Sequence, residues 1–378
     1  KGKLQMNIYE HIIGIKVEDL DTPSLLLDFE IMDRNLKLMH GFFNNLSTKI
    51  RPHVKLHKAT PALTHRQLRA GNVVGVTCAK LSEAEIMAQS GVTDILIANQ
   101  IVGPKKIERL LNLLLYADVK VCVDNFKNVQ ELADSATRKG LELGVLVEIN
   151  IGLDRAGVEP LTPAVELAKF VNDCQGVLFQ GFMAYDGHCT MRVDSSERMD
   201  CAIKANQLLL DTCLLAEKEQ LEVPIVSAGG TFTYKYVAKM DGITEIQAGT
   251  YLLMDTAFKE HGVLDFDCCL SVLGTLTSMP TWKSAEDLAI IDVGRKSIDT
   301  YYGLPHIKNP KGAKVIKFSQ EHGRIDISEV PEDLAIGDKV ELWVHDANGT
   351  INLFDKFHVI KNGIVIAVWD IPLRGKAT

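Results

Sequence analysis

Eight short β-rich runs, each followed by a helix-like segment, succeed one another between about residue 50 and residue 255, and this alternation leaves few folds open to the chain. The runs are RPHVK (51–55), VVGVTC (73–78), DILIAN (94–99), VKVCVD (119–124), GVLVEIN (144–150), FQGFMAY (179–185), PIVSAGG (224–230) and EIQAG (245–249). Strands of this kind separated by amphipathic helices describe a parallel sheet with helices on its outside. The segment GPKKIERLLNLLL has a 3.6-residue apolar period. In SEAEIMAQSG, Ser82 and Glu85 stand at capping-box spacing. Eight βα units in series predict a (β/α)₈ barrel rather than an open sheet.

The remainder reads differently. From about residue 264, the runs LSVLGTLTS, LAIIDVG, AKVIKFS, DKVELWV and FHVIKNGIVIAVWDI are separated by Gly, Pro, Asn and Asp turns without long helices, the pattern of a mostly antiparallel β domain. A chain of 378 residues also exceeds what one core usually supports. The expected division is a barrel over residues 22–260 and a C-terminal β domain over 261–378. The early run TPSLLLDF (22–29) would be a ninth parallel strand, so it is assigned to the β domain.

Composition narrows the function classes. A formal net charge of -8 without any Lys/Arg-rich run argues against nucleic acid or an anionic membrane as the main partner and toward small molecules. No charged-then-apolar leader and no membrane-length apolar run is present, so a cytoplasmic protein is expected. The opening KGKLQ before Met6 is given no functional weight. The eight cysteines lack C-x-x-C spacing and several lie in strand-like runs, which reads as reduced core thiols.

In a β/α barrel the chemistry gathers where the strands end. Those ends deliver Lys55, Lys80, Asn99 with Gln100, Asp124, Asn150 with Arg155, Tyr185 with His188, the Gly229-Gly230-Thr231 turn, and Gly249-Thr250-Tyr251. Barrels often hold a phosphate with the loops after strands seven and eight, where small residues let backbone N–H groups approach. SAGGTFTY and QAGTY fit that description. Lys55 ends the first strand across the mouth from them. A lysine so placed suits a phosphate-anchored aldehyde, and pyridoxal 5′-phosphate (PLP) is that aldehyde. No G-x-G-x-x-G follows the opening strand, which weighs against a nicotinamide enzyme.

With DTPSLLLDFEIMDRN, RPHVKLHK, VEINIGLDRAGV, AYDGH, SAGGTFTY, EIQAGTYLLMD, DVGRKS, EHG and HDANGTINLFDKFHVIKNGIVIAVW in this order, the chain resembles fold-type III PLP enzymes almost end to end. Within them it is similar to the metal-activated D-threonine aldolase, 3-hydroxy-D-aspartate aldolase and D-serine dehydratase family, which implies an alanine-racemase-like fold. The resemblance implies Lys55 as the PLP-bearing lysine, Gly229, Gly230, Thr231 and Tyr251 at the phosphate, Tyr185 at the pyridine nitrogen and Arg155 by the ring. It further implies a homodimer acting on a small D-amino acid, with its site between barrel and β domain, and a divalent metal held by His-x-Cys or His-x-Asp.

Here the motif is His345-Asp346-Ala347-Asn348, and alanine coordinates nothing. The metal ligands expected are therefore His345 and Asp346, with Asn348 as an alternative, and such oxygen donors favour Mg²⁺ or Mn²⁺ over Zn²⁺. Met191 stands where many members of this family keep a histidine. Besides Lys55, the proton-transfer candidates are His188, His345 and Asp346. The expected reaction is carbon–carbon cleavage of D-threonine or 3-hydroxy-D-aspartate. Dehydration of D-serine or 3-hydroxyaspartate and metal-free racemisation are the alternatives.

Overall fold

The computed structural model describes residues 10–263, 265–282, 287–376 and 378. The KGKLQ opening lies outside them. Two compact units divide the chain: one takes the described residues of 1–35, 252–260 and 264–375, the other those of 36–251, 261–263 and 376–378.

In the second unit the strands are β2 (Lys49–Ile50), β3 (Val76–Cys78), β4 (Asp94–Ile97), β5 (Asp118–Val123), β6 (Leu143–Ile149), β7 (Val177–Ala184), β8 (Ile225–Ala228) and β9 (Glu245–Ile246), β1 belonging to the other unit. All pair in parallel in the order β2-β9-β8-β7-β6-β5-β4-β3. Parallel bridges Ile50–Val73 and His53–Thr77 join the two ends of that order. The eight-stranded alanine-racemase-like barrel read from the sequence is therefore present. Its lumen is packed by residues such as Leu96, Cys122, Leu146 and Met183.

The first strand differs in detail from RPHVK. Regular pairing ends at Ile50, because Pro52 has no N–H to continue a ladder. The extended course nevertheless persists, with Arg51 N–H donating to Ile246 O, His53 N–H to Ala248 O and Val54 N–H to Thr77 O. Lys55 is the next residue and opens a turn. The expected Ser82–Glu85 cap also moves. The helix runs over Leu81–Gln89, and it is Glu83 that accepts from the Ala79 N–H at 2.6 Å, while Glu85 pairs with Arg109 at 2.7 Å.

At the end where the strands begin, Arg51 is 2% exposed and donates to Glu245 at 2.8 Å and Asp94 at 2.6 Å. Lys120 adds contacts to Asp94 at 3.2 Å and Asp118 at 2.7 Å. Burial alone would disfavour the guanidinium, yet the two carboxylates hold its pKa above the ordinary arginine value. Asp94, Asp118 and Glu245 are the first residues of their strands, so the network clamps three strands to the chain leaving β2.

A second network is neutral and directional. Thr60 N–H donates to His57 Nδ1 at 3.1 Å, so the proton of that ring sits on Nε2, which meets Gln67 Oε1 at 3.2 Å. Gln67 Nε2 donates to the Tyr251 hydroxyl at 2.9 Å. The hydroxyl proton is thereby left for His40 Nε2 at 2.9 Å, and His40 Nδ1–H reaches Gly71 O at 2.8 Å. Burial is the leading cause lowering both histidine pKa values, that of His57 to about 4, which keeps every member uncharged. This row connects the turn after Lys55 to the turn after β9.

The first unit holds β1 (Ser24–Asp28), β10 (Leu270–Ser278), β11 (Leu288–Ile291), β12 (Ile307–Asn309), β13 (Lys314–Phe318), β14 (Gly323–Asp326), β15 (Lys339–Trp343), β16 (Lys356–Lys361) and β17 (Ile364–Asp370). β1 pairs antiparallel with β10 and parallel with β16, and the remaining pairs are antiparallel. Leu20, Leu26, Leu273, Ile360 and Val365 form a core cluster there. Among the described residues no helix is long and apolar enough to cross a membrane.

Tyr251→Phe tests the neutral row. It removes one oxygen and leaves two buried nitrogens, on His40 and Gln67, without their partner. A loss of about 1–3 kcal/mol in urea unfolding is expected. A stability equal to that of the unmodified chain would show that the row carries no weight.

Candidate active site

Lys55 follows the first barrel strand directly, and its side chain is open to solvent at the barrel mouth. Desolvation by the surrounding protein, then the Arg155 charge, lower its pKa from the ordinary lysine value, with Glu83 opposing them. A lowered pKa is what an amine nucleophile requires, because only the neutral form attacks a carbonyl. His53, two residues earlier, is buried and held neutral, first by desolvation and then by Lys55.

Tyr185, at the end of β7, lies between two cations. Lys55 Nζ is 6.0 Å and the Arg155 guanidinium carbon 5.4 Å from its ring centre. Arg155 sits on the loop after β6 and approaches Glu148 Oε1 at 3.7 Å. Glu148 is buried, and desolvation raises its pKa while Gln100 donates to its other oxygen. The loop bearing Arg155 is shaped by two other strand-end residues. Asp124 accepts from Gly157 N–H at 3.1 Å, and Asn150 Oδ1 accepts from the N–H groups of Gly152 and Asp154, both at 3.1 Å. Asp124 and Asn150 thus build the loop, and Asn99 donates to Ala79 O at 2.9 Å.

The two glycine turns meet. Thr231 Oγ1 accepts from Tyr251 N–H at 3.1 Å, and Thr233 Oγ1 accepts from Gly230 N–H at 3.2 Å. Gly229 has φ +62°, which favours glycine. A Cβ on Gly249 would fall 2.5 Å from His53 O, so only glycine lets this turn approach the strand that carries Lys55. Gly230 faces Tyr185, 3.4 Å separating the position of a Cβ there from the ring. Tyr251 differs from expectation: its hydroxyl belongs to the buried row with Gln67 and His40. Only its backbone belongs to the turn.

His188, on the short helical turn Gly187–Met191, has Nε2 3.0 Å from the position a Gly152 Cβ would take, against the loop that bears Arg155. Its Nδ1 is buried without a hydrogen-bond partner. Lys55, Tyr185 and Arg155 are therefore brought together, with His188 packed against the Arg155 loop and the turn Gly229-Gly230-Thr231 meeting Tyr185 at Gly230. An amine of lowered pKa, an aromatic ring, a guanidinium and two touching glycine turns suit a planar aldehyde carrying a phosphate.

His345 and Asp346 lie in the other unit. His345 Nδ1 is 2.7 Å from Thr256 Oγ1. Asp346 Oδ1 accepts from Asn348 N–H at 2.9 Å and Gly349 N–H at 3.2 Å, capping the helix Ala347–Ile351. Burial is the first cause raising the pKa of Asp346, with Asp299 adding to it. Among the described residues no third His, Cys, Asp or Glu joins this pair within coordination distance. Both cap bonds fall on Oδ1, so Asp346 caps the helix through one oxygen, and His345 with Asp346 supplies two donors of a ligand set rather than a complete one.

A correction concerns the thiols. Cys189 and Cys201 form a disulfide, with Cα atoms 5.6 Å apart, whereas Cys78, Cys122, Cys174, Cys213, Cys268 and Cys269 are free. The two are 12 residues apart, and only the turn between Met191 and the helix Ser195–Lys218 brings them together.

Comparison with known proteins agrees with this architecture. Residues 27–257 match the family model for the alanine racemase N-terminal domain, and residues 269–360 that of a putative serine dehydratase domain. A D-threonine aldolase from Arthrobacter sp is 32% identical over 365 residues, 96% of this chain and 95% of that protein. A 3-hydroxy-D-aspartate aldolase from Paracoccus denitrificans (strain Pd 1222) is 33% identical over 372 residues, 96% and 94% of the two chains. The crystal structure of D-threonine aldolase from Filomicrobium marinum superposes with a TM-score of 0.90 at 32% identity, covering 97% of this chain and 99% of that one. The chain therefore belongs to the family that joins an alanine racemase N-terminal domain to a putative serine dehydratase domain and that includes these D-threonine and 3-hydroxy-D-aspartate aldolases.

Proposed function

We propose that this protein is a PLP-dependent lyase that cleaves a D-3-hydroxy amino acid, D-threonine or 3-hydroxy-D-aspartate, into glycine and an aldehyde or glyoxylate. The observation that carries this reading is Lys55 with its lowered pKa at the barrel mouth, sharing Tyr185 with Arg155. Similarity over nearly the whole length to two aldolases of such substrates supports the choice of reaction.

Lys55 would hold PLP, Gly229, Gly230 and Thr231 its phosphate, and Tyr185 and Arg155 its ring. When bound, PLP supplies a sink for the electrons of the bond broken at the substrate Cα. Lys55 Nζ would be the group that takes up or returns a proton at the substrate Cα. If Tyr185 met the pyridine nitrogen where a carboxylate could stand, it would donate no full proton there, and the sink would be weaker. Removal of the β-hydroxyl proton then needs a base, and His188, packed against the loop that bears Arg155, is the imidazole proposed for it. Arg155, fixed near Glu148, holds positive charge beside Lys55 and so favours its neutral form.

A divalent metal, Mg²⁺ or Mn²⁺ at oxygen donors and Zn²⁺ at thiolates, is the second cofactor expected from the sequence. His345 and Asp346, whose cap bonds both fall on Oδ1, would supply donors to it from this motif. The match of residues 269–360 to a putative serine dehydratase domain favours one second reading, elimination of the β-hydroxyl to give a 2-oxo acid and ammonia.

Incubation with D-threonine, both 3-hydroxy-D-aspartate diastereomers and D-serine separates these readings. Glycine with acetaldehyde or glyoxylate is expected; 2-oxo acid with ammonia would replace the aldolase by the dehydratase, and L-amino acid by a racemase. Lys55→Ala is expected to lower the rate by at least roughly 10²–10⁴-fold, and a variant of undiminished rate would remove Lys55 from the reaction. A third prediction concerns pH. Because Arg155 helps to lower the Lys55 pKa, Arg155→Gln raises it, and the PLP-free chain should need a higher pH to take up PLP. Following the near-visible absorbance against pH checks this; a downward or absent shift contradicts the assigned electrostatics.

A further inference from the structure

Beside the candidate active site, His188 stands next to two cysteines that neither PLP nor the aldol reaction uses. His188 and Cys189 lie on the turn Gly187–Met191, and Cys201 lies on the helix Ser195–Lys218 that packs against this turn. Among the described residues this is the group of three metal-ligating side chains whose donor atoms all fall within 4.8 Å of one another. We infer that His188, Cys189 and Cys201 form a thiolate-rich site for a borderline-soft divalent ion, Zn²⁺ in particular, that is open when the disulfide is reduced and closed when it is formed.

The donor set and its spacing carry the inference. Cys₂His is a ligand set that zinc takes up with a solvent molecule in its fourth position. With Zn–N near 2.0–2.1 Å and Zn–S near 2.3 Å, a tetrahedral ion holds its nitrogen and sulfur donors about 3.6 Å apart. His188 Nε2 and Cys189 Sγ are 3.5 Å apart. The backbones bearing the two sulfurs are close enough to share an ion, at 5.6 Å between Cα atoms. A disulfide holds its sulfurs about 2.0 Å apart, whereas a tetrahedral zinc needs about 3.7 Å, so the two states exclude each other.

A ligand can reach the site and be held there. Cys189 is fully buried, but Cys201 and His188 line an open surface cavity together with Arg192, Glu197 and Lys204. Arg192 and Lys204 are offset there by Glu197 and Asp200, so the lining carries no net formal charge. The cavity is open to the surface on this side, which leaves the fourth position to solvent. The imidazole is not tied elsewhere, because His188 Nδ1 is buried without a protein partner.

Opening the site is a two-electron step. A dithiol reductant gives up two electrons and two protons, the Cys189–Cys201 bond breaks to two thiols, and the reductant becomes a cyclic disulfide. Zinc then binds the two thiolates, releasing their protons to solvent. The site rests on these residues alone and shares only His188 with the reaction proposed for Lys55.

Zinc retained by the full-length chain after desalting tests it. The dithiol-reduced protein should retain about one equivalent, and the air-oxidised protein none. His345→Ala should retain zinc like the unmodified chain, which separates this site from the His345 motif. Cys201→Ser should bind at least ~100-fold more weakly, beyond what loss of a hydrogen-bond partner to a ligand costs. On the unmodified reduced chain, zinc should protect Cys201 from alkylation, a measurement that needs no variant. Equal zinc in reduced and oxidised protein, or alkylation of Cys201 undiminished by zinc, would overturn the inference.

Discussion

The turn that carries Lys55 and the turn that would receive a phosphate are held to each other by one row of neutral hydrogen bonds, from His57 through Gln67 and Tyr251 to His40 and Gly71. Each bond alone contributes about 1 kcal/mol, but a buried member left without its partner costs more than its bond gained. The direction of every proton is fixed, because Thr60 N–H enters at one end and a carbonyl oxygen closes the other. An uncharged row has a further consequence. It places no formal charge near Lys55, so the electrostatics there are set by desolvation, Arg155 and Glu83.

The barrel treats charge in opposite ways at its two ends. Where the strands begin, Arg51 is saturated by Glu245 and Asp94, and Lys120 by Asp94 and Asp118. The Arg51–Glu245 pair is buried on both sides, and a buried pair of this kind fixes geometry more than it adds stability. Where the strands end, charges are left less completely paired. Arg155 is half exposed and only 3.7 Å from Glu148, and Lys55 is accessible. Incomplete pairing suits groups that must still interact with an incoming anion or exchange a proton.

Much of this was legible in the sequence, for a physical reason. A strand period of two and a helix period of 3.6 are local signals, so the eight βα units and the tail hairpins could be read. Once the strands were placed, their ends placed Lys55, Tyr185 and Arg155 on one rim. What failed was the direction of side chains whose partners are remote in sequence. Tyr251 follows a glycine turn and read as a phosphate group, but its phenol turns to Gln67, 184 residues away, and to His40, 211 residues away. The cap that Asp346 makes is local by contrast, to backbone N–H groups two and three residues on. Ser82 lost its cap to Glu83 for a similar local reason. Cys189 and Cys201 lack any motif spacing and meet only through the loop that joins two helical segments. A histidine next to a cysteine, with a second cysteine one helical entry later, was the signal that could have marked them.

The central claim, that Lys55 is the residue through which this chain binds PLP, is tested most directly by borohydride reduction of the PLP-loaded protein followed by peptide mapping. A stable pyridoxyl label on the peptide containing Lys55, and on no other lysine, is the result expected. A label on another lysine, or none at all from a protein that has bound PLP, would contradict it.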